Sequence, residues 1–432
     1  MELISVLLFL IGLWAFFSKY KYLTLIVIAL LSSNYLQLSD PNFLLGSISL
    51  QHGDLALLLI FATLPFRKKN KDEQLNDIRK ILFVFLIFLG VAMAYDFFTH
   101  GTTAMQIFRT TRKTGYLAFF FLIKSFSLRD YQKFMYFFIL LTLFHSILYI
   151  SQYLFNYSFS STEAIDTEFG AARYRNIPYY IIPFFVIILF TISKPRIKLA
   201  LSILLFIVIL LAQSRGAITA IIIVLLLFFI FQYRIKLRTV VYVFSFFFIS
   251  YILVPYFFPI IGIRFQSLFS ELDLVGRLDF NNLNFFYHQG SFTFRLGLTY
   301  ERLMYVLDDT TRIILGVGFI PDFDILNPIF ILGTISPTLP AGYEQFNSAD
   351  ILFPNIITRY GIVGSLIFLY FIIQLFVYSY KNKGMIWGKI LFIYLFALSI
   401  TSLNSETFYN GQNFIIIFIM MGMIVKSKPL SQ

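Results

Sequence analysis

Long apolar stretches punctuated by short polar ones run through almost the whole chain. Runs near residues 2–18, 22–38, 52–66, 81–97, 106–123, 134–154, 177–193, 199–213, 216–232, 239–258, 358–380, 388–403 and 413–425 are mostly apolar. Each approaches the roughly 20 residues that a helix needs to cross a bilayer. The pattern predicts an all-α polytopic membrane protein with about 12–14 transmembrane helices. The first run, Glu2 to Phe17, lacks a basic leader and a small-residue cleavage site, so it reads as the first span. One long polar segment interrupts the series late in the chain. The expected organisation is therefore transmembrane helices with short loops over 1–258, one large loop over 259–357 between late helices, and C-terminal helices over 358–432. No repeat of a solenoid period is visible.

Composition agrees with this pattern. Of the 432 residues 59% are hydrophobic and 13% charged, whereas a soluble domain carries about 25% charged residues. Cysteine is absent, which removes disulfides, thiolate nucleophiles and thiolate metal sites. The net charge of +12 would suit nucleic acid, but the placement of the charges points elsewhere. Alternate loops are basic: Lys19/Lys21, Arg67 to Lys80, Lys124/Arg129/Lys133, Lys194/Arg196/Lys198, Arg234/Lys236/Arg238, Lys381/Lys383/Lys389 and Lys426/Lys428. With thirteen spans these fall on one side, which the positive-inside rule makes cytoplasmic. The other side holds Arg109, Arg112, Lys113, Arg173, Arg175, Arg215, Arg264, Arg277, Arg295, Arg302, Arg312 and Arg359, nearly all arginine. Arginine is favoured over lysine where phosphate is gripped bidentately. Ordinary ion-paired or solvated loop positions are the alternative for any one of them.

Arg215 is the most informative of the set. It lies in Gln213-Ser214-Arg215-Gly216 between two apolar runs, Ile203–Ala212 and Ala217–Phe231. A charge at membrane depth is costly and rarely placed without use, so a tight hairpin holding its guanidinium at the membrane face is expected. In the large loop, Phe294 to Leu307 has helical periodicity, with Leu296, Tyr300, Leu303 and Leu307 on one face. Arg295 and Arg302, seven apart, point the same way. They hold a phosphate-bearing ligand or belong to a salt-bridged face, with Asp308 and Asp309 as partners for Arg302. Arg173 and Arg175, beside Tyr174 and Asn176, suit a sugar phosphate or an interfacial anchor. Arg109 and Lys113 share a helix face and either snorkel or line the same cleft. Asp350, just before a span, is a helix cap or, if desolvated, a general base. The four histidines, His52, His100, His145 and His288, are scattered, and no metal or other cofactor site is expected.

Three stretches together resemble one family. Leu210-Leu211-Ala212-Gln213-Ser214-Arg215-Gly216-Ala217 resembles its Q-S-R-G-A hairpin, and Leu315-Gly316-Val317-Gly318-Phe319 its G-x-G segment after the large loop. Asp350 followed by Tyr360-Gly361-Ile362-Val363-Gly364 resembles its entry into the next span. The family is the O-antigen polymerase and O-antigen ligase superfamily of bacterial inner membranes, and the resemblance covers about residues 170–380.

The resemblance implies a GT-C-like, metal-independent glycosyltransferase whose active site faces the periplasm. Its donor would be an undecaprenyl-diphosphate-linked oligosaccharide, with membrane lipid, a chain-length regulator and a flippase as partners and no nucleic acid. It implies that Arg215 contacts the donor diphosphate, that Arg295 or else Arg302 does likewise, and that Asp350 is the catalytic base, with Glu344 and Glu301 as substitutes. The ligase branch carries His then Asn where this chain has Asp350 then Ile351, so the polymerase branch is expected. A ligase to lipid A-core is the near alternative. A lipid-linked oligosaccharide flippase is the distant one, disfavoured because the cations gather at a surface rather than at the bilayer midplane.

Overall fold

The structure, a computed structural model, describes residues 2–37, 42–45, 48–68, 73–155, 157, 165–166, 173–174, 177–178, 180–212, 214–232, 245, 283, 286, 291–319, 329–332, 334–335, 343–345, 352–403, 408 and 410–427. The span expected over 239–258 and the first part of the large loop fall almost wholly outside them.

Helices occupy the expected apolar runs. They are Glu2–Phe17, Lys21–Ser32, His52–Thr63, Asn76–Thr99, Ala104–Gly115, Leu128–Phe155, Ile181–Thr191, Pro195–Leu211, Arg215–Gln232, Leu352–Lys381, Ile386–Thr401 and Gly411–Ser427. Glu73–Thr99, Leu128–Phe155 and Leu352–Lys381 are long and apolar enough to cross a membrane, and shorter apolar helices accompany them. The protein is an all-α polytopic membrane protein. Among the described residues the strands form three small antiparallel pairs, Asn42–Leu45 with Ile48–Gln51, Ile165–Asp166 with Arg173–Tyr174, and Thr334–Ile335 with Tyr343–Glu344.

One predicted span is not a single α-helix. The α-helix Ala104–Gly115 passes into a 3-10 helix, Tyr116–Ser125, which is long for this tightly wound form. Nearly all of its side chains are buried. Tertiary packing on the Gly411–Ser427 and His52–Thr63 helices thus sustains a geometry that backbone hydrogen bonding alone does not favour.

The two ends of the bundle differ in chemistry. At one end, Lys21 Nζ donates to Ser125 O (3.4 Å), Lys426 Nζ to Lys124 O (3.4 Å), and Lys68 N–H to Ser125 Oγ (3.2 Å). Four of the lysine-bearing loops therefore meet there, as their alternation along the chain predicts. The opposite end gathers Asp96, Thr110, Gly318 and Arg359.

That far end is organised by a kink. The Leu352–Lys381 helix is broken at Gly361, whose backbone is left-handed (φ 63°). A Cβ at Gly361 would lie 2.5 Å from Arg312 O and 2.6 Å from Ile313 O. Only glycine allows both the conformation and the approach. Gly361→Ala is expected to cost about 1–3 kcal/mol and lower the thermal unfolding midpoint in detergent. Gly384→Ala, where an added Cβ meets no atom within 4 Å, leaves the midpoint within about 1 °C.

Candidate functional site

Two of the weak motifs touch each other. Past the Thr310–Leu315 helix, Gly316 to Phe319 run alongside the kinked helix. Val317 N–H donates to Thr358 O (2.7 Å), and Arg359 Nη1 donates to Gly318 O (3.1 Å). Arg359 is only 4% exposed, so its charge is spent holding backbone. Gly318 has φ 113°, and a Cβ there would lie 2.4 Å from Asp96 Oδ1. The glycine spacing is thus a close-approach requirement: backbone against backbone at Gly316 and Gly361, and backbone against carboxylate at Gly318.

Asp96, which the sequence reading did not single out, belongs to the same contact. It is 1% exposed. Its Oδ2 accepts the Phe319 N–H (3.0 Å), and its Oδ1 pairs with His100 Nδ1 (2.7 Å). Thr110 Oγ1 donates to Phe319 O (2.8 Å). The signal was present, since an acid near the end of an apolar span demands a partner. One partner is His100, four residues on, but the other is backbone more than two hundred positions away.

The Ser291–Leu307 helix forms where periodicity predicts it but buries a different face. Thr293, Leu298, Glu301, Arg302 and Val306 are buried, whereas Leu307 is exposed. Gly297 admits the Phe286 ring, which a Cβ would approach to 2.4 Å. Glu301 and Arg302 then clamp the following segment. Glu301 accepts the N–H groups of Ile331 (2.6 Å) and Leu332 (3.0 Å). Burial pushes its carboxyl above the usual range, while the Ile331 N–H, the Arg302 charge and the Leu332 N–H pull the other way.

Arg302 donates to Leu332 O (2.8 Å) and Gln345 O (3.0 Å) and stacks over Phe330 at 4.5 Å. Gln345 Oε1 accepts from Ile329 N–H (2.8 Å) and Phe330 N–H (2.7 Å). At 1% exposure, Arg302 presents no guanidinium to a ligand in this conformation. Its acidic partner is Glu301 (3.4 Å) rather than Asp308 or Asp309. Arg312 stacks on Tyr305 at 4.1 Å and donates to its carbonyl (3.2 Å). Arg295 is half-buried, one face-repeat before Arg302.

A third assembly adjoins Leu211, the end of the Pro195–Leu211 helix. Tyr153 Oη donates to Leu211 O (2.6 Å) and accepts from Tyr174 N–H (3.4 Å). Tyr149 Oη donates to Tyr174 O (3.0 Å), and Tyr174 Oη donates to Gln152 O (3.1 Å). These phenols bring the backbone of Arg173–Tyr174 beside the turn that leads to Arg215. The side chains of Arg173, Arg215 and Glu344 lie outside the described residues, as do Arg175 and Asp350 altogether. Among the described residues no group of three or more His, Cys, Asp or Glu side chains is gathered that could hold a metal ion.

Removing Arg302 leaves Glu301 buried without its cation, at a cost of about 3–5 kcal/mol. In the Arg302→Ala variant, amide hydrogen exchange over residues 329–332 is expected to rise roughly a hundredfold, with little change in the Leu128–Phe155 helix.

No curated protein matches the chain. A family model described as O-antigen ligase matches residues 200–369. The match takes in the Arg215 turn, the buried Glu301–Arg302 pair, the Gly316–Phe319 segment and the Gly361 kink, and it leaves out Asp96 and Thr110. Residues 200–369 of this polytopic membrane protein are thus similar to the O-antigen ligase family, and the match supports the O-antigen ligase and polymerase superfamily.

Proposed function

We propose that the protein is a polymerase of lipid-linked polysaccharide repeat units, whether of O-antigen, capsule or exopolysaccharide. It transfers a growing glycan from undecaprenyl diphosphate to a sugar hydroxyl of another lipid-linked repeat, at the periplasmic face of the inner membrane. The observation that carries this reading is the convergence at one end of the bundle. The Gly316–Phe319 segment and the Gly361 kink are in direct contact there, on the side that also bears the arginines.

In this reading Arg215 and Arg295 neutralise the leaving diphosphate, and Arg173 and Arg175 complete the grip. Donors aimed at developing negative charge supply a large share of such rate enhancements. Asp350 takes the proton of the acceptor hydroxyl as its oxygen attacks the anomeric carbon. The bond to the diphosphate breaks on the opposite face, and the configuration inverts. Arg302 acts at one remove. With Glu301 and Gln345 it fixes the backbone of Ile329 to Leu332, so we assign it a positioning role in place of direct diphosphate contact.

Ligation to lipid A-core is the second reading, favoured by the description of the matching family model. The Asp350-Ile351 pair, where the ligase branch carries His-Asn, argues for polymerisation. Purified protein supplied with lipid-linked repeats is expected to give a ladder of products of increasing length on gels. Arg215→Ala is expected to lower the rate by about 10²–10³-fold, and an Arg215→Ala protein that polymerises normally rules out the role given to that residue.

A further inference from the structure

Lysines from four stretches of the chain converge on the end of the 3-10 helix Tyr116–Ser125, at the end of the bundle opposite Asp96 and Arg359. The last carbonyls of a helix have no partner within it. Here Lys21 Nζ donates to Ser125 O (3.4 Å) and Lys426 Nζ to Lys124 O (3.4 Å), so two ammonium groups crowd one helix end. Lys124 belongs to the helix itself. Lys68 is drawn in by its N–H, which donates to Ser125 Oγ (3.2 Å).

These charges lack a counter-charge. Lys21, Lys124 and Lys426 are half-buried, and Lys68 is exposed. The charged groups acting on Lys426 are Lys68 and Lys124, both cations. Among the described residues no carboxylate forms an ion pair with any of the four. Asp130, the acid nearest Ser125 in sequence, turns to its own helix start, where it accepts the Ser127 N–H (2.9 Å) and the Ser127 hydroxyl (2.6 Å). An ammonium has three N–H donors. Lys21 and Lys426 each give one to a neutral carbonyl, and Lys21 also lies over the Phe16 ring at 5.1 Å. Like charges gathered partly out of water cost free energy until an anion joins them.

The flank of the cluster is hydrocarbon-like. Phe66 leads into Arg67 and Lys68, and its ring meets Phe17 at 4.9 Å. Phe66 is 61% exposed and Phe17 58%. Leu7, Leu10, Trp14 and Phe17, all exposed, make one stripe along the Glu2–Phe17 helix that runs up to the lysines. A ligand that suits both features carries negative charge at its head and acyl chains behind it. A headgroup with one phosphate answers one of four lysines, whereas two phosphates answer the cluster from both sides.

We propose that Lys21, Lys68, Lys124 and Lys426 bind the headgroup of a phospholipid with two separate phosphodiesters, of the cardiolipin type, its acyl chains lying along the Glu2–Phe17 helix. The positive-inside rule places it in the cytoplasmic leaflet, where anionic headgroups seat in basic pockets between helices. The lipid is a structural ligand and not a substrate, and the proposal does not depend on the polymerase reading. It clamps the Lys21 and Lys68 turns, the 3-10 helix and the Gly411–Ser427 helix to one another.

Native mass spectrometry of the full chain, delipidated in detergent and titrated with tetraoleoyl cardiolipin, tests this, with the lipid-free thermal unfolding midpoint as the check on folding. The wild type is expected to hold one cardiolipin, about tenfold more tightly than dioleoyl phosphatidylglycerol. Lys68→Gln, at an exposed side chain, is expected to bind cardiolipin about fivefold more weakly, and Lys21→Gln/Lys124→Gln/Lys426→Gln about a hundredfold. Lys194→Gln/Lys198→Gln/Lys389→Gln removes as much charge from other loops of the same end and is expected to bind like the wild type. Wild-type affinity in both Lys68→Gln and the Lys21/Lys124/Lys426 variant overturns the site. Where that triple variant has a lowered lipid-free midpoint, Lys68→Gln decides alone, and unchanged binding by it overturns the site. An equal loss in the Lys194/Lys198/Lys389 variant overturns a built site in favour of diffuse surface charge. Equal binding of phosphatidylglycerol overturns the two-phosphate headgroup.

Discussion

The backbone of Gly316 to Phe319 lies among three helix ends with little water to satisfy it, and the far end of the bundle is arranged around that need. An unpaired backbone group in such surroundings costs on the order of 1–3 kcal/mol. Thr358 O takes the Val317 N–H, Arg359 covers Gly318 O, Asp96 takes the Phe319 N–H and Thr110 covers Phe319 O. Each partner comes from a helix whose apolar length could be supplied by many sequences. The glycines at 316, 318 and 361 are what allow the partners to come close enough. The kink at Gly361 therefore has a cause in the segment packed against it, and that segment holds its course because of the kink.

The same logic divides the arginines by task. Arg302, Arg312 and Arg359 point at carbonyls and rings of their own chain. They shape the loop and the motif segment. In the proposed chemistry Arg173, Arg175, Arg215 and Arg295 are the ones that meet the ligand. An end rich in arginine is thus partly scaffold and partly grip. The scaffold share explains why arginine rather than lysine dominates there: its planar fork can reach two carbonyls at once, as Arg302 does with Leu332 and Gln345.

Much of the helix layout was legible in the sequence, because membrane spans are written in unbroken apolar length. The lysine-rich loops also met as their alternation predicts. What was not legible depends on distant pairing. The face of the Ser291–Leu307 helix was misjudged because apolar periodicity favours Leu296, Tyr300, Leu303 and Leu307, whereas the buried face is set by Glu301 and Arg302 reaching Ile331, Leu332 and Gln345. Asp96 escaped notice because its distant partner, the Phe319 N–H, carries no side-chain signal, and the His100 pairing alone reads as local. The 3-10 course of Tyr116–Ser125 has no propensity signature and follows from packing. The three motif stretches were each weak alone, yet two of them prove to be one contact.

The central claim is that this end of the bundle joins repeat units to one another. Deleting the gene in its own cell and separating the surface glycan on a gel tests it most directly. The account predicts core or carrier capped by a single repeat unit, with the ladder of longer chains lost. Uncapped core, with unligated glycan still polymerised on its lipid carrier, would contradict it.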